Sequence, residues 1–540
     1  MAIILNFILV ICEVIAFIIT FRKKKQHFYL YYTQISNFIC LISSLCLLIF
    51  GQRGWVSVMR YLSTTMLTIT FLITVCVLLP TMKSSILFKG RAFFFHLVCP
   101  ILCVVSYVFA EKHVPMFWAI LPVIVTMVYG AVLIWLNYKK KFEGPYPFFK
   151  VHKIGFKKTA MWMAVLVAVV ALISVGVGFR TPRKTDMKFI YVHGLSGWGS
   201  YDRLNDVFPY WGMSQGDMIR YFNNHGYDSY AASVDPSGSA WDRACELYAQ
   251  LTGTRVDYGA EHSARCHHER YGEDYTGKAL VKDFDKSRYT LIGHSFGGAT
   301  IRLFSEILRN GSEAEREYTT DGSLSDFFKG GNGDGLVAVV TLAAPTNGTT
   351  AYDLYEDPDF DSESVAIPTE FAEKTDLVSK TARKKNDGRI KDDYAAYDMH
   401  IDNALALNER ITTFSDVYYF AQPLSSTKEE NGKLVPDPEI TEKSLMRGAY
   451  IMAAYTGKTK GGFVLDESWQ DNDGLVNTVS AGAPIGAPAE AYKEGMQLHP
   501  GIWYVLPVKK GDHMSPEGGL TKRVKVKAYY LKLCETLSVL

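Results

Sequence analysis

The chain lacks a strong charge of either sign: 57 Lys and Arg residues stand against 55 Asp and Glu, for a net charge of +2 at pH 7. No nucleic-acid partner is indicated, because that would need a basic surface. A disulfide framework is also missing. Six of the nine Cys (Cys12, Cys40, Cys46, Cys76, Cys99 and Cys103) fall in the first third, and Cys245, Cys266 and Cys534 show no pairing pattern. No internal repeat is present, which removes solenoid architectures. No basic residue precedes the first apolar run, Met1 to Phe21, whereas Arg22-Lys23-Lys24-Lys25 follows it. That order is wrong for a secretory signal peptide.

What is present divides into two contrasting parts. Residues 1–180 are strongly apolar and the remainder has the composition of a soluble domain. Apolar runs lie at 1–21, 28–51, 57–80, 92–110, 114–137 and 159–179, each about the ~20 residues that a bilayer-spanning helix requires. Basic residues gather after the first, third (Lys83, Lys89, Arg91) and fifth runs (Lys139 to Lys158); the intervening loops carry Arg53 and Lys112. The positive-inside rule then places the N-terminus and everything after 180 outside a cell membrane that the chain crosses six times. Thr33, Gln34, Ser36, Asn37 and His96 fall within these runs. An intramembrane His is a functional candidate or an interhelical hydrogen-bonding residue, and both readings stand.

The second part is organised around Gly293-His294-Ser295-Phe296-Gly297-Gly298. The β-prone Tyr289-Thr290-Leu291-Ile292 precedes it and a helical pattern, Ala299 to Arg309, follows. Strand, G-x-S-x-G and helix together form the context of a nucleophile elbow, against the bland alternative of a strand-to-helix turn with a solvated Ser. A Ser hydroxyl is a weak nucleophile and needs a base oriented by a carboxylate, in the chain order Ser, acid, His. Beyond Ser295 the base candidates are His400, His499 and His513. His513 follows the strand-like 502–506, on a loop where open α/β sheets place chemistry. His499 precedes that strand, and His400 comes too early to leave room for a strand and an acid. Asp473, in an Asp-Gly turn, is the expected acid, with Asp471 as a solvated neighbour. The oxyanion hole needs two backbone N–H groups. Phe296 supplies one, and Leu195, in the Gly-rich loop after Phe189 to Val192, supplies the other.

The expected architecture is a six-helix transmembrane domain (1–180), a linker (181–186) and an α/β-hydrolase domain (187–540). Strands are expected at 187–192, 227–233, 336–342 and 417–421, with a helix near 213–225. The continuous apolar run at 336–342 reads as a buried parallel strand. The polar stretch at 352–400 reads as a cap insertion over a mostly parallel sheet with helices on both faces.

Residues 187–540 resemble the zinc-containing lipases of thermophilic bacilli and staphylococci. The resemblance rests on HGLSGWGS (193–200), YWGMSQGD (210–217), SAWDRACELYAQLTGTRVDYGAEHSARCHHERYG (239–272), GHSFGGAT (293–300), LAAPTNGTT (342–350) and DNDGLVNTVS (471–480). It implies an α/β-hydrolase that cleaves lipid carboxylic esters through Ser295, Asp473 and His513. It also implies a closed, structural Zn²⁺ site at Asp242, His262, His268 and Asp398, with His267 and Cys266 as adjacent alternatives. Two departures stand out. The residues after His513 read Met514-Ser515-Pro516-Glu517 and do not match those that help hold Ca²⁺ in that family, and the 350–398 region is shorter than the family's lid. In the first third, 31–37, 93–96 and 144–149 resemble six-span proteins related to the androgen-induced-gene family, whose threonine-type hydrolases make Thr33 and His96 the matching positions.

The expected function is a membrane-anchored serine hydrolase acting on lipid esters, with membrane lipids as its surroundings. The alternatives are an extracellular acyltransferase or peptidase on the same triad, or a lipid-sensing or transport protein whose appended domain binds lipid.

Overall fold

Each apolar run of the first third folds as a helix in the computed structural model, which describes residues 2–22, 28–82, 90–111, 113–144, 146–178, 183–354, 390–519 and 526–540. Six helices are long and apolar enough to cross a membrane: α1 (Ala2–Arg22), α2 (Tyr32–Phe50), α3 (Gly54–Leu78), α4 (Arg91–Ala110), α5 (Met116–Tyr138) and α6 (Phe156–Gly178). The run at 28–51 begins with a separate 3₁₀ turn, Phe28–Leu30, before α2. Large apolar side chains such as Phe7, Phe117 and Leu172 remain exposed, while polar ones turn inward. Arg60 of α3 grips the Glu111 carboxylate with two N–H groups, each at 2.9 Å, and gives a third to Ser44 at 2.8 Å. Asn6 and Ser106 complete the carboxylate's shell. A buried ion pair offsets its desolvation only when satisfied to this degree, and losing one partner would strand the other charge. The network therefore ties α1–α4 together.

The chain divides at Arg180 into two units, Met1–Arg180 and Thr181–Leu540. The second is built on a seven-stranded parallel sheet: β1 (Lys188–Val192), β2 (Asp228–Ala232), β3 (Tyr289–His294), β4 (Leu336–Leu342), β5 (Tyr418–Gln422), β6 (Ala489–Ala491) and β7 (Trp503–Val505). Their spatial order is β6-β7-β5-β4-β3-β1-β2. Alternation sorts the side chains. Ile190, Val192 and Leu291 face a core shared with α8 (Ala240–Thr252) and α10 (Gly297–Asn310). Phe189, Tyr191 and Ile292 face the other core, with α7 (Met218–Asn224) and α12 (Val526–Leu537). With both faces covered, β4 can be apolar at every position but Thr341.

The helix expected near 213–225 is shorter. Met213–Gln215 forms a 3₁₀ turn, Gly216 takes φ +85°, and Asp217 caps α7 by accepting from the Arg220 N–H at 2.9 Å. Most of the proposed cap, 355–389, lies outside the described residues. Its C-terminal end forms a turn, Lys391–Asp393, and a short helix, Ala395–Met399, after which comes α11 (Ile401–Arg410); α9 (Ala260–Cys266) lies between α8 and β3. The order β3-β1-β2 puts successive connections on opposite sides of β1. The crevice beyond the carboxyl ends of β1 and β3 is thus the switch point where open α/β sheets bind ligands.

Candidate active site and metal centre

Ser295 stands at that switch point, between β3 and α10, with φ +54°. A non-Gly residue in the left-handed region is strained and is held only by its surroundings. The flanking glycines are those surroundings. A Cβ on Gly293 would sit 2.5 Å from the Gly297 carbonyl carbon, and one on Gly297 would sit 2.3 Å from the Val192 oxygen. The spacing of the motif thus reflects close backbone approach between β1, β3 and α10.

Three groups meet there. His513 Nδ1 lies 2.9 Å from Asp473 Oδ2, and His513 Nε2 lies 2.8 Å from Ser295 Oγ. A carboxylate only accepts, so Nδ1–H donates to Asp473 and Nε2 accepts from the Ser295 hydroxyl. The other Asp473 oxygen accepts from the Leu475 and Val476 N–H groups at 3.0 and 2.8 Å, which fixes the carboxylate. All three side chains are buried. Burial alone would disfavour the imidazolium of His513. The Asp473 carboxylate, seconded by Glu517 and Asp512, outweighs it and holds the pKa above the ordinary imidazole value. The unchosen residues are engaged elsewhere. His400 Nδ1 faces Asp353 at 2.8 Å, and the His499 N–H donates to the Tyr504 hydroxyl. Asp471, expected to be solvated, instead accepts from Ser425 and Thr427, which tie it to a neighbouring strand pair.

The loop after β1 runs against Ser295: a Cβ on Gly194 would lie 2.6 Å from Ser295 Cβ. The N–H groups on either side of Leu195 are committed, Gly194 to the Tyr210 hydroxyl at 3.0 Å and Ser196 to the Pro236 carbonyl at 2.8 Å. Phe296 is the N-cap of α10, where N–H groups have no intrahelical acceptor. Three supporting residues escaped the sequence reading. Arg243 braces the loop through the carbonyls of His193, Gly194 and Asp235 and reaches Thr300 of α10 at 3.0 Å. His294 Nε2–H donates to the His513 carbonyl at 2.9 Å, so its Nδ1 accepts from the Tyr210 hydroxyl at 2.7 Å. His294 and Tyr210 thereby connect the His513 loop to the Gly194 loop. His294 is the unspecified position of G-x-S-x-G, which is why the motif did not reveal it.

A second cluster gathers Asp242, His262, His268 and Asp393. Asp393 stands where Asp398 was expected. Asp398 instead caps α8, its Oδ2 accepting from the Ala240 N–H at 2.7 Å, and burial lifts its carboxyl to about 7. Exposed His267 has φ +62° as the C-cap of α9, which turns it out of the cluster, and Cys266 faces the other ring nitrogen of His262 at 3.8 Å. His262 Nε2 lies 3.2 Å from oxygens of both Asp242 and Asp393; His268 Nε2 lies 3.7 and 3.3 Å from the same two carboxylates. Four ligands at about 2.0–2.1 Å from a tetrahedral Zn²⁺ would be about 3.3–3.4 Å apart. His262 Nε2 and Asp393 Oδ2 are buried without a hydrogen bond. His268 Nδ1–H donates to the Glu269 carbonyl at 2.9 Å, leaving Nε2 as the ligand atom. Burial disfavours a charged His262, yet the two carboxylates drive its pKa up to about 11, a measure of the negative field they set up. Geometry, tautomer and field all fit a zinc ion.

In the helical unit, Thr33 lines a cavity with Tyr32, Thr70, Thr126, Tyr129 and Tyr146. His96, in the π-helical turn Phe94–Val98, is not among the described residues lining it. This cavity does not bring the two candidates together.

Residues 185–364 match the family model described as the lipase-like C-terminal domain. The lipase of Staphylococcus hyicus is 33% identical over 359 residues, covering 62% of this chain and 54% of that protein. The structure of EstA from Clostridium botulinum aligns with a TM-score of 0.58 at 30% identity, over 67% of this chain and 90% of EstA. That of lipase 1 from Pelosinus fermentans aligns with a TM-score of 0.56 at 30% identity, over 66% and 99%. The chain spans about half the length of the curated relatives it matches.

Proposed function

Because this chain belongs to the family of staphylococcal-type bacterial lipases, we propose that it is a membrane-anchored hydrolase of lipid carboxylic esters that works through an acyl-enzyme on Ser295. The observation that carries this reading is the unbroken relay from Asp473 through His513 to Ser295 Oγ, with spacings of 2.9 and 2.8 Å. In this scheme Ser295 Oγ attacks the ester carbonyl as His513 Nε2 takes its proton. The Leu195 and Phe296 N–H groups receive the oxyanion. His513 then returns the proton to the departing alcohol, and water releases the acid by the same steps. Asp242, His262, His268 and Asp393 would hold zinc as a closed, structural site; bound there, the metal supplies folding energy and leaves the chemistry to Ser295.

The test is turnover of p-nitrophenyl esters of increasing acyl length by the full chain in detergent micelles, followed against pH. Hydrolysis is expected. Because His513 must be neutral to act and Asp473 raises its pKa, the acid limb of kcat/KM should lie above the ordinary imidazole value of ~6.5. Asp473→Asn should move that limb to lower pH and cut kcat by about 10⁴-fold. No hydrolysis at any chain length would refute the reading.

Membrane anchoring is supported by the six apolar helices and by the exposed apolar surface of α6, of whose most apolar stretch 11% is buried. The basic-loop asymmetry puts the hydrolase outside. A reporter fused after Leu540 should read extracellular, and one inserted near Lys141 cytoplasmic. A cytoplasmic C-terminus would mean that the number of crossings is odd with respect to this scheme.

A further inference from the structure

Arg302 lies two turns beyond Ser295 on α10 and is 4% exposed. The other deeply buried arginines are saturated: Arg60 by Glu111 and serines, Arg243 by four acceptors. Arg302 has no such set. Its Nε makes no hydrogen bond, and among the described residues no carboxylate offsets its charge. Burial leads the influences on it and lowers its pKa to about 10, with Tyr419 alone opposing. Its one marked contact is the Trp503 ring, 5.7 Å from the guanidinium carbon. An isolated buried cation is strongly disfavoured unless a countercharge is supplied.

The surroundings point to where that charge would come from. Arg302 and Trp503 line one cavity, together with Ser305, Ile411, Thr413 and Tyr419. The Trp503 indole N–H is also buried and without a hydrogen-bond partner. The Tyr419 hydroxyl oxygen accepts from the Phe414 N–H at 2.9 Å, which leaves its own proton to give. Arg302, Trp503 and Tyr419 thus bring donors to the lining, and no acidic group is among the described residues that line the space. The cavity has room for roughly one water-sized sphere, far below the roughly 300–1,000 Å³ of pockets for organic ligands. One positive charge calls for one negative charge. We propose that this cavity is a binding site for a single small monovalent inorganic anion, chloride, held by the Arg302 guanidinium and the Trp503 indole N–H.

Thermal unfolding of the full chain in detergent, at constant ionic strength with sodium gluconate exchanged for sodium chloride, tests this. Gluconate is too large for the cavity. The midpoint of the hydrolase unit should rise with chloride, by about 2 °C per tenfold once the site is saturated. Arg302→Met should abolish the dependence and, in gluconate, melt at or above the wild-type chain, because the uncompensated charge is gone. Trp503→Phe keeps the ring, deletes the N–H, and should weaken the dependence; it serves also if Arg302→Met fails to fold. Equal wild-type midpoints in the two salts would overturn the proposal. So would an Arg302→Met variant that melts lower than wild type by the same amount in both, since that is what a packing role alone demands.

Discussion

Ser295→Ala should leave the far-ultraviolet spectrum and melting temperature of the full chain unchanged while kcat for p-nitrophenyl esters falls by roughly 10⁴- to 10⁶-fold. The size follows from geometry. Ser295 Oγ is the group hydrogen-bonded to His513 Nε2 at 2.8 Å, and Ala keeps the Cβ that packs against Gly194. His513→Ala should cost a similar factor. The two together should cost little more than either alone, because nucleophile and base act as one unit. His499→Ala should be indistinguishable from wild type, since that residue's N–H is spent on Tyr504, before β7 rather than after it. An inactive His499→Ala beside an active His513→Ala would hand the role of base to the wrong end of the strand and sink the assignment.

The strands beneath this site were legible because both faces of the sheet are covered. Leu336 to Leu342 reads as a continuous apolar run, and the structure places it at the centre, between β3 and β5. The strained turn at Ser295 was legible because it leaves a chemical trace: close backbone approach admits only Gly at 293 and 297. That His513 and Asp473 would meet Ser295 was suggested by chain order and loop position, and the three side chains do lie in hydrogen-bond contact. The braces did not. Arg243 acts through backbone carbonyls 49 and 50 positions away from it in sequence and on Thr300, 57 positions away, and no periodicity records such contacts. The length of the 213–225 helix was overread because apolar spacing continues across Gly216, whose φ of +85° ends the turn before it. In the helical unit the six runs were plain. The Arg60–Glu111 pair was not, since a charge at the edge of an apolar run gives no sign of the partner it will meet.

The candidate metal site shows the same limit at the scale of five residues, and it carries the other large effect. Both Asp393 and Asp398 sit in one polar stretch, and the family resemblance implied Asp398. Backbone geometry separates them. Asp393 ends the turn that leads into the Ala395–Met399 helix, where Ser239 donates to its Oδ1 at 2.8 Å and His262 Nε2 faces the same oxygen at 3.2 Å. Asp398 is spent on the Ala240 N–H at the start of α8. Purified full-length protein should therefore contain about one zinc per chain. Asp393→Ala and His262→Ala should each lose most of it and lower the melting temperature by roughly 5–10 °C, because the variant keeps mutually facing carboxylates or imidazoles with no cation between them. Asp398→Ala should keep its zinc and lose only a helix cap, about 1 kcal/mol. Strong chelator on the wild-type chain should reproduce the Asp393→Ala melt while Ser295 still reacts with a serine-directed fluorophosphonate, since the cluster shares no residue with the Ser295 relay. A metal-free chain whose melt ignores chelator would remove the site. Zinc lost from Asp398→Ala but retained in Asp393→Ala would restore the assignment that the resemblance implied.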